Sequence, residues 1–263
     1  MKLGVSIALC AMLVAAMWTA SALGDPSVGP PICSAAGTKV SGTYRNFTIS
    51  GNAYVAAGDS LTVRGDLILA PGSCLDAFSM STVTVGRDVL VGRGAILALG
   101  CTLASTFPPT PCTGTTNDTV GGSVLADRPY TMYLDGNTIR GSVLSIGGGP
   151  GPTLNPYINF PIKDNQIGGN VIVEGWKGAW FGVIRNVVGG SVLLANNVGV
   201  TIGDLGTPDS TEVATNTISG NLICVANSPH AQIGDSGGAL NTVGGRALGE
   251  CSSLVAPPSL PGG

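Results

Sequence analysis

Along this chain the apolar residues fall in short runs, each cut off by Gly, Asn, Asp or Ser, and the mature region shows no helical period. The early part reads as strand doublets: Leu61-Thr62-Val63 then Leu67-Ile68-Leu69, and Val83-Thr84-Val85 then Val89-Leu90-Val91. Later strands follow a Gly: Ser142-Val143-Leu144, Asn170-Val171-Ile172-Val173, Ser191-Val192-Leu193-Leu194 and Asn221-Leu222-Ile223-Cys224. Alternate side chains of such strands face inward.

A second pattern is laid over the first. Asn, any residue, Ile or Val, any residue, Gly recurs at Asn137, Asn165, Asn186, Asn216 and Asn241, at spacings of 28, 21, 30 and 25 residues. Repetition on that scale predicts a solenoid, whose single coils cannot bury their apolar faces alone. An Asn at the same turn of every coil can stack its amide on the next, and Gly-Gly before the strand suits a bend with positive φ. Asp118 stands where the first ladder Asn is expected. The predicted class is all-β, a right-handed parallel β-helix of three strands per coil, with an Asn ladder and disulfides. On these residues the chain resembles the right-handed parallel β-helix superfamily. It is also similar to uncharacterised secreted bacterial proteins that end in Asn-Thr-Val-Gly-Gly, a basic residue and a last Cys, matched here by Asn241 to Arg246 and Cys251. The resemblance implies a scaffold and carries no activity with it.

The ends and the cysteines bound the organisation. Lys2, the apolar run from Val5 to Met17 and Ala20-Ser21-Ala22 read as a secretory signal over 1–22. Residues 23–39 read as a linker or N-terminal cap, 40–251 as the solenoid and 252–263 as a disordered, Pro-rich tail. Of seven cysteines, Cys10 lies in the signal, and an even set remains for disulfides in a secreted, extracellular chain. Cys101–Cys112 would close a Pro-rich loop and Cys224–Cys251 would tie the last coil to the tail; Cys33–Cys74 follows by elimination. With 10% charged residues and a net charge of −3, nucleic acid is not an expected partner. The mature chain holds no second long apolar run, so no membrane span is expected there. No CxxC occurs and His230 is the one histidine, so neither metal nor cofactor is expected. Asn46 and Asn117 open glycosylation sequons.

Candidate chemistry is sparse. Gly234-Asp235-Ser236-Gly237-Gly238 copies a serine-protease pentapeptide, but Thr201 to Gly206 repeats its surroundings one coil earlier, so it reads as scaffold. Thr138, Thr217 and Thr242 follow ladder asparagines as an ice-binding array would, but Gln166 and Val187 break the row. Asp164 and Arg185 each precede a ladder Asn and should pair across adjacent coils. Aromatic residues gather in three successive coils. Phe160 and Phe181 are expected inside, and Tyr133, Tyr157 and Trp176 or Trp180 on an exposed strip suited to sugar rings. The expected function is a secreted non-catalytic module, structural or glycan- or surface-binding, with an extracellular polysaccharide or cell-surface component as partner. The alternative is a polysaccharide lyase or hydrolase on the same scaffold, with no catalytic residue assigned and the base to be sought at Lys163 or Arg185.

Overall fold

The computed structural model describes residues 33, 37–103, 112–151, 159–200 and 208–257. Every strand pair is parallel, and three long sheets of 8, 9 and 9 strands form the walls of a parallel β-solenoid. We call them sheets A, B and C. One coil runs through Trp180–Ile184 in sheet A, Val187–Val188 in sheet B and Val192–Ala195 in sheet C. The next repeats this at Glu212–Ala214, Thr217–Ile218 and Leu222–Val225. Strand pairing begins at Thr38–Lys39 and reaches Ala247–Gly249, followed by a 3-10 turn at Glu250–Ser253. No helix of the described residues is long and apolar enough to cross a membrane.

Alternation puts one residue of each pair inside, where stacked coils supply the core. Sheet B contributes the row Val85, Val120, Ile139, Ile167, Val188 and Ile218, one residue per coil, in register and buried. Sheet C adds Val124, Val143, Val171, Val192 and Leu222. Leu134, Ile162 and Val183 do the same from sheet A.

The Asn ladder closes the corner between sheets A and B. Each Nδ2 donates to the Oδ1 of the next asparagine: Asn137 to Asn165 at 2.9 Å, Asn165 to Asn186 at 3.0 Å, Asn186 to Asn216 at 3.1 Å and Asn216 to Asn241 at 2.8 Å. That same Oδ1 accepts the preceding asparagine's backbone N–H, and the Nδ2 groups also reach carbonyls of the coil before. The amide is the side chain that can both donate and accept here, which explains its recurrence. The residue before the Asn is left-handed in four coils: Gly136, Asp164, Arg185 and Thr215, with φ of 75°, 58°, 57° and 59°. The positive φ expected at Gly-Gly is therefore found on the other side of the asparagine. Gly168 and Gly189 serve close stacking instead, since a Cβ at either would fall against a carbonyl oxygen of the coil before.

Two further ladders were not evident in the sequence. At the corner after sheet C, Asn197 Nδ2 donates to Asn227 Oδ1 at 3.0 Å, and Asn227 Nδ2 donates to Glu250 Oε2 at 2.9 Å. Trp176 heads this row, its N–H donating to Asn197 Oδ1 at 3.0 Å. At the corner between sheets B and C, side-chain oxygens of Asn46, Asp66, Asp88, Ser123, Ser142, Asn170, Ser191 and Asn221 each accept a backbone N–H from the next coil. Because three residue types share that task, no repeating letter marks it.

All three expected disulfides form, with Cα–Cα distances of 5.8 Å for Cys33–Cys74, 5.7 Å for Cys101–Cys112 and 5.3 Å for Cys224–Cys251. They point to an oxidising, extracellular environment. Cys224 faces the core of the last full coil, and its bridge pins the terminal turn across the open end.

Asp118 heads the Asn ladder as a fully buried carboxyl whose Oδ1 accepts Val83 N–H at 2.6 Å. Burial pushes its pKa from 3.8 to about 6, against the hydrogen bonds that favour the anion. The folded state thus holds a proton that the unfolded chain releases earlier, so this group's contribution falls as pH rises from 3.8 to about 6. Asp118→Asn should raise stability by ~1–3 kcal/mol at pH near 7.5 and remove much of that slope. Urea midpoints at pH near 4.5 and 7.5 measure it, and an unchanged slope would contradict the assignment.

Candidate functional site

The aromatic residues do not make an exposed strip. Phe160 and Phe181 lie inside as expected, but Trp176 is completely buried against both, with ring centroids 5.4 Å and 6.4 Å away. Its Nε1 donates to Tyr130 O at 3.2 Å. Tyr133 is 6% and Trp180 8% exposed, and Tyr157 lies outside the described residues. The burial of both indoles has a local cause. Gly178 and Gly182 each follow a tryptophan by two positions, and the indole lies where their Cβ would be. Trp176 lies in the core and Lys163 covers the Trp180 ring, so neither offers a face to a sugar. Tyr133 packs instead with Phe78 and Ala98 on the outer side of sheet A, where burial pushes its pKa up to about 12.

Charged residues of that same outer side converge around Trp180. Lys163 Nζ sits 4.6 Å from the ring centroid, and Trp180 Nε1 donates to Glu212 Oε1 at 3.2 Å. Lys163 pairs in register with Asp135, and Glu212 is completely buried. Burial, then the Arg185 charge, lowers the Lys163 pKa. Arg185 itself holds Asp164 bidentately, with both contacts at 2.7 Å, as their positions before successive ladder asparagines required. The bases that a lyase reading would call on are thus engaged with Trp180 and Asp164.

Glu212, Asp209 and Asp235 bring their carboxylate oxygens within 4.8 Å of one another. Burial, then the neighbouring Glu212 and Asp235, pushes the Asp209 pKa up to about 8. The trio is not legible in the sequence, because its members do not share a register and a turn brings Asp235 back over Glu212. Gly234, with φ of 73°, makes that turn, and a Cβ there would meet the Glu212 carboxyl.

The protease pentapeptide shows no engagement with the histidine. Ser236 is exposed, and His230 Nδ1 lies 3.2 Å from Glu250 Oε1. The repeated surroundings at 201–206 lie outside the described residues.

The outer faces of the other two sheets are regular. On sheet B, Thr43, Thr62, Thr84, Thr119 and Thr138 form an unbroken row. Gln166 and Val187 interrupt it before Thr217 and Thr242. On sheet C, Ile68, Leu90, Leu125, Leu144, Ile172, Leu193, Ile223 and Leu248 stand side by side in consecutive coils. Each from Ile68 to Ile223 lies between inward-facing neighbours, and Leu248 continues the row in register, so the row points away from the core. Exposed Ile146 and Val225 widen the row, and a shallow apolar groove runs along it from Ile68 to Ile146. The signal was present in most of the strands: three aliphatic residues in succession, as in Val171-Ile172-Val173, cannot all face one interior.

The chain matches no family model, no curated protein and no solved structure.

Proposed function

We propose that this is a secreted, non-catalytic structural module, released after a signal over 1–22, that pairs face to face with a second copy of itself through the outer side of sheet C. The aliphatic row carries this reading. A soluble monomer rarely keeps so long an apolar patch in water. The face has nine strands. At ~4.8 Å per strand it is about 40 Å long, and four residues at ~3.3 Å make it about 13 Å wide. Two copies would then bury about 1,000 Å², the lower end for a specific interface. A second copy suits the face because flat sheets stack about 10 Å apart by interleaving aliphatic side chains, and an identical row repeats at the same spacing. Sugar rings favour aromatic platforms, and this face has none among Ile68 to Leu248.

Purified mature protein should sediment as a dimer at about 50 μM. The outward substitutions Leu125→Glu and Leu144→Glu together should leave the β-rich spectrum intact and weaken the dimer about 100-fold or more. A wild-type monomer at that concentration would sink the proposal. So would a dimer unaffected by both charges.

A further inference from the structure

The carboxylate trio beside Trp180 is built more firmly than a chance meeting of surface acids. Glu212 is completely buried on a sheet strand, Glu212–Ala214. One of its oxygens, Oε1, is held by Trp180 Nε1, and the other, Oε2, is buried with no hydrogen-bond partner. A buried carboxylate oxygen without a donor is costly unless something positive completes it. The two other acids are positioned by the backbone around them. Gln232 Nε2 donates to Pro208 O at 2.6 Å and to Ser210 O at 3.0 Å, fixing the segment that carries Asp209. Gln232 also bridges to Glu212 through main-chain bonds, N–H to Thr211 O at 3.1 Å and C=O from Val213 N–H at 2.7 Å. Three residues on, Asp235 follows the Gly234 turn that lies against Glu212.

From this geometry we infer that Asp209, Glu212 and Asp235 bind one calcium ion. All three ligands offer oxygen and none offers nitrogen or sulfur, which selects a hard cation over zinc or copper. Asp209 is half-buried and Asp235 exposed, so water can complete a large, flexible shell of the kind calcium takes. Magnesium, which needs a tight octahedron and gives up water reluctantly, fits such an uneven set less well. Lys163 sits over the Trp180 ring, where the Glu212 charge reaches it. Affinity should be modest, in the range of about 0.1–1 mM seen in extracellular modules.

Three measurements on the intact, disulfide-bonded protein test this. Calcium at about 5 mM should raise the melting temperature by several degrees over the same protein in chelator, and magnesium at that level should raise it less. Glu212→Gln and Asp235→Asn, separately, should each lose most of the calcium-dependent rise, while Asp127→Asn, whose carboxylate is paired with Arg128, should keep it. Terbium should luminesce on tryptophan excitation in wild type, and Trp180→Phe should lose most of the signal, because Trp180 touches the liganding Glu212. No calcium shift in wild type would overturn the site. So would a shift that survives both the Glu212 and the Asp235 substitutions.

Discussion

Asn186→Asp should be among the most destabilising single changes in this protein. Asn186 accepts from Asn165 N and Asn165 Nδ2, both at 3.0 Å, and donates to Asn216 Oδ1 at 3.1 Å and Ile162 O at 2.8 Å. An aspartate keeps the acceptor and loses the donor. It then sets a carboxylate against three oxygens, those of Asn216 Oδ1 and the Ile162 and Ile184 carbonyls, in a site with almost no solvent. Asn186→Ala removes both roles and leaves several buried partners unsatisfied, at about 1–3 kcal/mol each. We expect a loss of ~3–6 kcal/mol for Ala and more for Asp at neutral pH, with the Asp variant partly recovering in acid as the carboxyl takes a proton. Val187→Thr, on the exposed neighbour, should change stability by no more than about 0.5 kcal/mol. Urea denaturation of the three variants gives the order, and an Asn186→Ala cost below about 1 kcal/mol would show that the ladder is ornamental.

Trp176→Ala should cost ~3–5 kcal/mol, since it empties a large volume beside the packed pair Phe160 and Phe181 and strands the Tyr130 carbonyl. Trp180→Ala should cost less, ~1.5–3 kcal/mol, because that ring lies on the outer side of the wall and loses one hydrogen bond and its stack with Lys163 rather than core packing. Thermal and urea unfolding separate the two. Equal effects would mean that the outer layer of sheet A packs as tightly as the core.

The solenoid and its ladder were legible because one physical demand recurs in every coil. A parallel stack needs the same inward aliphatic and the same donor–acceptor amide at the same place, so the letters repeat. Asp118 and the Asp164–Arg185 pair were readable for the same reason: their positions follow from the register alone. The second ladder was hidden because Trp176 and Glu250 occupy its ends, and the third because Asp, Ser and Asn all supply an acceptor oxygen. In these cases the demand repeats but the residue does not.

The sequence by itself determined the β-solenoid, its disulfide-bonded chemistry and the alternation that sends every second strand residue inward. Only the tertiary structure decided which way the rings and carboxylates point. Register places a residue on a strand, but a bulky side chain bends to whatever space its neighbours leave. Gly178 and Gly182 left room for Trp176 and Trp180 to lie flat and buried, which removed the expected strip. Gly234 let the chain turn back, so Asp235 reached Glu212 from another part of the sequence. The aliphatic row of sheet C lies between these cases. Its residues were plain in the strands, but only closed walls show that the middle residue of each triplet has no interior left to enter.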